Sequence, residues 1–533
     1  MSFQRSAGIL LHPTSLPGPF GVGTLGREAR HFVDFLAGAG VGLWQILPLG
    51  PTGYGDSPYQ CLSAFAGNLY LIDPEALAEL GLVGAVDVEA RRAPNAGSVD
   101  FGKLFRERNT LLDTAWENFK AGVGAAASGG REAAMSAVPS EGVDGTHRLT
   151  TVNESDPGTR DIAEEFVDFS ARNGYWLDDF ALFSAIKESH GFASWDQWPE
   201  RLRKRDARAL ADFSRSAGDR IGRHKFAQFL FRRQWRALRD YAHGRNVKII
   251  GDIPIFVAWD SADAWAHPEL FLLDKNERPS FVAGVPPDYF TATGQLWGNP
   301  LYDWQANEEE GYAWWISRIK TSLDMADILR IDHFRGFVEY WAVPARDKTA
   351  AKGSWRMGPG LAFFEAIEDK LGDLPIIAED LGFQTQGVQE LRARLGFPGM
   401  KILQFAFEPE GDNADYPHSY ERNAVVYTGT HDNDTCMGWI GEAAPAAARR
   451  ALGYVGGRRA TFAWNMIRAA WASPACIAIA PAQDLLSLGG EARMNYPGRQ
   501  DGYWTWRMPE EALTPSIGRR LRALTRHYFR SCR

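Results

Sequence analysis

Cysteine is scarce in this sequence. Four thiols in 533 residues, Cys61, Cys436, Cys476 and Cys532, stand without any C-x-x-C spacing, which excludes a disulfide scaffold and a cysteine-based zinc site and suits a reducing cytoplasm. No run approaches the roughly 18 consecutive apolar residues of a membrane span, and the first eleven residues carry only Ile9-Leu10-Leu11 behind Arg5. The expectation is a soluble, unexported chain with no membrane partner. Blocks of one charge are also missing: 58 basic against 66 acidic residues leave a formal net charge of −8, and no basic tract is present to grip a nucleic-acid backbone. The 54 Gly and 29 Pro follow no fixed period, which excludes a fibrous repeat. Histidines are scattered, no H-E-x-x-H occurs, and Asp412-Asn413-Ala414-Asp415 lacks the Gly and closing Glu of a calcium loop. The turn at 18–23, G-P-F-G-V-G, is no Walker loop. Neither a metal nor another cofactor is expected.

What the sequence does have is aromatic side chains: 19 Trp, 16 Tyr and 31 Phe. Most belong to a core, yet the excess suits a ligand that stacks, such as a sugar. Hydrophobic residues at 45% and charged residues at 23% describe an ordinary globular chain. Eight continuous apolar runs end in polar clusters, at 8–12, 44–49, 247–256, 328–333, 375–380, 400–405, 424–430 and 476–483. Continuous rather than alternating runs mark parallel strands buried on both faces. Segments with helical spacing lie between them: Ala29, Phe32, Val33, Leu36; Phe231, Trp235, Leu238, Ala242; Tyr312, Trp315, Ile316, Ile319; and a helix from Thr385 that stops at Gly396. Eight such units predict an α/β protein of the (β/α)8 TIM-barrel class.

The spacing is uneven, which places insertions after the second and third strands. Residues 1–75 and 243–533 are expected to form the barrel and 76–242 a largely helical insertion. Within the barrel, 257–325 is read as an insertion carrying a cleft loop. The Pro/Ala/Gly-rich part of the helical insertion, including 122–130, reads as surface loops or frayed helix ends. Helix is expected from Asp161 onward, with an amphipathic stretch at 175–189 that caps the barrel.

In a barrel of this kind the site forms at the carboxyl ends of the strands. The fourth run ends I-L-R-I-D-H-F-R-G at 328–336, the fifth I-I-A-E-D-L-G at 376–382, and the seventh Y-T-G-T-H-D-N-D-T at 427–435. Asp332, Glu379 and Asp432 thus converge on one mouth, flanked by Arg330, His333 and His431. Paired carboxylates suit glycoside chemistry, where one group attacks or shields a cationic sugar carbon and another protonates the departing oxygen. Arg330 and Asp332, two residues apart on a strand, share a side, so a cation faces that carboxylate. Glu379 has no basic neighbour in sequence, which fits a raised pKa.

These motifs, with W-Q-I-L-P-L-G-P-T-G-Y-G-D-S-P-Y-Q at 44–60, G-V-P-P-D-Y-F-T-A-T-G-Q-L-W-G-N-P-L-Y at 284–302, and the 493–498 and 504–507 segments, resemble the 4-α-glucanotransferases (amylomaltases, or disproportionating enzymes) of the α-amylase clan. The likeness spans nearly the whole chain and is weakest at about 85–160. It implies Asp332 as nucleophile, Glu379 as general acid/base and Asp432 as transition-state stabiliser, acting with retention of configuration on maltooligosaccharides and starch- or glycogen-type α-1,4-glucans. By the same resemblance Ser57, Tyr59, Asp252, His333, Phe405, His431 and Asn495 contact the donor sugar, with Arg330 beside them. Gln295 and Trp297 lie in the insertion after the third strand, where 284–294 has the Gly and Pro punctuation of a shaped loop; the resemblance implies that this loop arches over the cleft, with Trp297 an acceptor-side contact. Asp252 has an alternative reading as a cap, and Trp297 as a ring packed under the loop. A monomer is expected. Competing readings are an α-glucan hydrolase of the same clan and a glucan-binding protein without catalysis. A sugar-phosphate enzyme would require a Gly-rich anion site that Gly489-Gly490 does not supply.

Overall fold

The structure, a computed structural model, describes residues 3–53, 55–128, 162–287, 292–382, 385–408, 413–499 and 502–532. In chain order its strands are β1 (Ser6–Leu10), β2 (Leu43–Gln45), β3 (Lys248–Pro254), β4 (Phe281–Val285), β5 (Gln295–Pro300), β6 (Ile328–Asp332), β7 (Glu339–Pro344), β8 (Ser354–Met357), β9 (Ile376–Ala378), β10 (Gly399–Ile402), β11 (Ala424–Tyr427) and β12 (Ile477–Pro481). Eight of them run parallel in the order β10-β11-β12-β1-β2-β3-β6-β9. The Ala378 N–H donates to Pro398 O at 3.0 Å and joins the last strand to the first. This is the expected (β/α)8 barrel, and each of the eight apolar runs overlaps one strand.

The continuous apolar character of these strands has a direct cause. Successive residues alternate between two cores. Leu10, Leu43, Ile250, Ile328, Ile377, Ile402, Val425, Ile477 and Ile479 fill the barrel interior. Their neighbours Ile9, Trp44, Ile249, Leu329, Ile376, Val426 and Ala478 pack outward against the helices. The predicted helical faces are buried in helices Arg27–Gly38, Gly218–His243 and Ala313–Leu323, with Ile316 only partly covered and Tyr312 at the N-cap. Helix Gln386–Leu395 ends at Gly396 in the left-handed conformation (φ 68°).

Three features differ from the sequence expectation. Helix begins well before Asp161: Phe101–Ser128 is one helix, carried by Phe101, Leu104, Leu111, Leu112, Ala115 and Phe119 at helical spacing, so of the two readings of the segment from 122 the helix end, not the surface loop, describes Gly122. Residues 129–161 lie outside the described residues, and the 175–189 stretch is the second half of helix Ile162–Ser189. The sixth barrel strand stops at Ile402, which places Phe405 in the following 3-10 turn Leu403–Phe407. Finally, a second, antiparallel sheet of order β5-β4-β7-β8 was not anticipated. It draws two strands from the segment after β3 and two from the segment after β6. Gly284 and Val285 belong to its β4 rather than to a loop, and Gly284 lies level with Leu296, Trp341 and, through Trp341, Trp355.

At the amino-terminal end of the barrel two arginines close the chain on itself. Arg530, fully buried, donates to the carbonyls of Trp471 (2.7 Å), Ala475 (2.9 Å), Ser6 (3.0 Å) and Ser473 (3.1 Å). Arg5 donates to Trp471 (3.0 Å), Ser473 (2.9 Å) and Tyr528 (3.0 Å). Both satisfy carbonyls at the carboxyl end of helix Phe462–Ala472, where a cation also meets the negative end of the helix dipole. Arg530→Met should lower stability by about 3 kcal/mol, the scale of several buried carbonyls left without donors. Denaturant unfolding should register that loss while turnover per folded molecule stays unchanged, because the clamp sits at the end of the barrel opposite the strand carboxyl ends.

Candidate active site

Arg330 takes an inward position on β6, between the outward Leu329 and Ile331, and is 3% exposed. Its Nη1 donates to both carboxylate oxygens of Asp252 on β3, each at 2.8 Å. Its Nη2 lies 2.8 Å from Asp332 Oδ1. The pairing across β3 and β6 sets Asp252 level with Arg330, which makes this contact a consequence of strand register. Burial opposes the guanidinium charge, but Asp252, Asp332, Tyr59 and Glu379 outweigh it and hold Arg330 charged. Burial pushes the Asp252 carboxyl up against the pull of Arg330, and the Tyr59 hydroxyl donates to Asp252 Oδ2 at 2.7 Å. Asp252 therefore forms part of the site's charge network rather than a helix cap.

Glu379 follows β9 and is held by the backbone. The His333 N–H donates to its Oε2 at 2.7 Å and the Leu381 N–H to its Oε1 at 2.9 Å. Burial, together with the nearby Asp332 charge, raises the Glu379 carboxyl to about 7, against the opposing pull of Arg330 and the two amides. His333 is a non-glycine residue in the left-handed region (φ 52°), where functional strain concentrates. Burial lowers its imidazole to about 4, and its buried Nε2 has no hydrogen-bond partner among the described residues.

Asp432 is set the other way. Burial alone would raise it, but His431 and Asn495 hold its carboxyl well below the usual range. Asn495 Nδ2 donates to Oδ1 at 2.6 Å, and His431 Nε2 lies 3.3 Å from Oδ2. Arg493 Nη2 donates to the Asp432 carbonyl at 2.5 Å. The Asp432 charge outweighs desolvation and raises the His431 imidazole, whose buried Nδ1 has no hydrogen-bond partner among the described residues. The Tyr59 ring stacks on His431 (centroids 5.1 Å, 17°).

Of the remaining sequence candidates, Gln295, Trp297, Ser57 and Tyr59 connect to this network by contact, while Phe405 is placed only in the packing of the barrel interior. The Trp297 ring on β5 meets His333 edge to face at 4.9 Å and donates to Gln295 Oε1 at 3.2 Å. The ring is partly exposed. Residues 288–291, part of the expected 284–294 loop, lie outside the described residues. Phe405 and Tyr59 both pack against the barrel-interior cluster, and the Ser57 hydroxyl accepts the Tyr59 N–H at 3.2 Å.

One residue at this mouth escaped the sequence reading. His12 follows β1, is 5% exposed, and accepts the Leu47 N–H on Nδ1 at 3.3 Å. Burial and the neighbouring His431 lower its imidazole to about 3. It stood at the end of the first apolar run, so the strand-end criterion that found the carboxylates reaches it too. Among the described residues, no group of three or more His, Cys, Asp and Glu is arranged to hold a metal ion, and no helix is long and apolar enough to cross a membrane.

With this geometry in view, the family model described as 4-alpha-glucanotransferase matches residues 11–138 and 145–514. The chain belongs to the 4-alpha-glucanotransferase family. A family member from Thermus thermophilus is 46% identical over 532 residues, covering 98% of this chain and 99% of that one. Another, from Streptococcus pneumoniae, is 44% identical over 531 residues, covering 99% and 98%. An amylomaltase from Streptococcus agalactiae, solved in complex with acarbose, matches with a TM-score of 0.89 at 38% identity, covering 99% of this chain and 100% of that one. Family membership thus agrees with the three strand-end carboxylates.

The charge arrangement has a direct spectroscopic consequence. Infrared titration should find a protonated carboxyl band that disappears with a midpoint of about 7 and is missing from Glu379→Gln. A midpoint below about 5, the range of an unperturbed Glu, would contradict the burial and charge account of this residue.

Proposed function

We propose that the chain is a retaining 4-α-glucanotransferase, moving an α-1,4-glucan segment from a donor to the 4-hydroxyl of glucose or of another glucan. The observation that carries this reading is the geometry at one barrel mouth, where Arg330 Nη2 lies 2.8 Å from Asp332 Oδ1 and the His333 and Leu381 amides hold the Glu379 carboxyl. Glu379, raised to about 7, keeps a proton near neutrality, while Asp332 is ion-paired to Arg330. Such a pair is what double displacement requires. Glu379 gives its proton to the glycosidic oxygen as the C1–O bond breaks, and an Asp332 oxygen bonds to C1. In the second half Glu379, now a carboxylate, takes the proton of the acceptor 4-hydroxyl, whose oxygen displaces Asp332 from C1. Asp432, held anionic by His431 and Asn495, stabilises the cationic sugar between these states.

Sugar hydroxyls would meet the unpartnered nitrogens of His333 and His431, with Asp252, Asn495 and Ser57 supplying further polar contacts and Tyr59 and Phe405 apolar ones. Arg330 acts through Asp332 and Asp252. Transfer and hydrolysis share the glycosyl-enzyme, so the outcome depends on what reaches it first. Membership in a transferase family and the partly exposed Trp297 ring beside His333 support a sugar acceptor, with Gln295 orienting that ring. We assign the segment 76–242 to a supporting subdomain, 257–325 to an acceptor-side insertion, and the active form to a cytoplasmic monomer that needs no cofactor.

Three measurements test this. Pure maltotriose should yield longer maltooligosaccharides plus glucose; a gain in reducing ends without longer products would mark a hydrolase. Asp332→Asn should lower kcat by more than about 10³-fold with the fold intact, the cost of removing a covalent nucleophile, and turnover like that of the unmodified enzyme would refute its role. Trp297→Ala should raise the acceptor KM and the ratio of hydrolysis to transfer, both still dependent on Asp332. If neither quantity moves, Trp297 is a packing residue.

A further inference from the structure

The loop that carries His431 and Asp432 leaves β11 at Thr428 and enters helix Cys436–Glu442. Asp484, in the short helix Ala482–Leu485 after β12, reaches both ends of that loop. Its Oδ2 accepts the Thr428 hydroxyl at 2.6 Å and the Cys436 thiol at 3.1 Å, and its Oδ1 accepts the Cys436 N–H at 2.7 Å. Asp484 is 1% exposed and Thr428 fully buried. These partners are a hydroxyl, a thiol and an amide, with no cation among them, so the carboxyl is costly to bury and tied to the foot of one loop. The loop interior is braced as well: Asn433 Oδ1 accepts from the Thr430 N–H and hydroxyl, both at 2.9 Å, and Gln404 Nε2 donates to Asp434 O at 2.8 Å. The tip is held by Arg493 and Asn495, from the same post-β12 segment as Asp484.

We infer that Asp484 is a positioning residue: by joining Thr428 to Cys436 it fixes the span of the loop and thereby the placement of Asp432 and His431. This rests on the assignment of Asp432 as stabiliser. An error of placement there weakens contacts made in the transition state more than contacts made to the bound sugar, so it lowers kcat with little change in KM.

The decisive variant is Thr428→Val, which keeps the side-chain shape and removes one hydroxyl. With maltotriose its kcat should fall on the order of tenfold, with KM within about twofold and melting temperature within a few degrees of the unmodified protein. Thr428→Ser, which restores the hydroxyl, should recover kcat. Asp484→Ala should act in the same direction and more strongly, scored per folded molecule. An unchanged kcat in Thr428→Val, or a fall that Thr428→Ser shares, would overturn the clamp. Asp432→Asn separates the two levels: if it is as active as the unmodified enzyme, the stabiliser assignment fails, whereas if it is inactive and Thr428→Val is fully active, only the clamp fails.

Discussion

One buried guanidinium organises the barrel mouth. Arg330 sits inside the strand layer, forks Asp252 and touches Asp332 at 2.8 Å. A buried charge is tolerated only when it is paired, so Arg330 and its carboxylates depend on one another. Removing any one of them leaves a partner stranded. The same cation is one of several influences on Glu379, and there it loses: burial and the Asp332 charge prevail, and the group rises to about 7. At Asp432 it acts with His431 and Asn495, and together they win against burial. Neighbouring carboxylates are in this way pushed in opposite directions by what each one touches.

Much of this was legible in the chain, for reasons that particular residues make clear. The eight apolar runs stood out because each barrel strand is buried on both faces, which leaves no polar alternation to blur them. Arg330 and Asp332 were readable as a pair because two residues along a strand return to the same side. The Asp252–Arg330 fork was not, since it joins strands 78 residues apart and depends on the β3–β6 register. The Tyr59 hydroxyl reaches Asp252 across 193 residues and was equally invisible as a bond. Strands β4, β5, β7 and β8 escaped because they are interrupted by Gly or Pro or partly exposed, and pair across two separate insertions.

The fold also divides labour along its axis. Chain ends meet at the amino-terminal face, where Arg5 and Arg530 gather carbonyls and no chemistry is placed. At the opposite face the loops are braced from neighbouring strands: Glu379 by the His333 backbone after β6, and the post-β11 loop by the segment after β12. Glu379 and Asp432 are therefore each held by an element other than their own, and Asp332 by Arg330 on its own strand, the condition for a preorganised site.

The proposed division of labour, Asp332 as nucleophile and Glu379 as acid and base, can be tested on one covalent species. In Glu379→Gln, a sugar donor with a good leaving group needs no acid to react, while the second step lacks its base. Intact mass measurement followed by peptide mapping should find one sugar added, attached to Asp332. Consumption of the donor with no adduct, or an adduct on another carboxylate, would contradict the account.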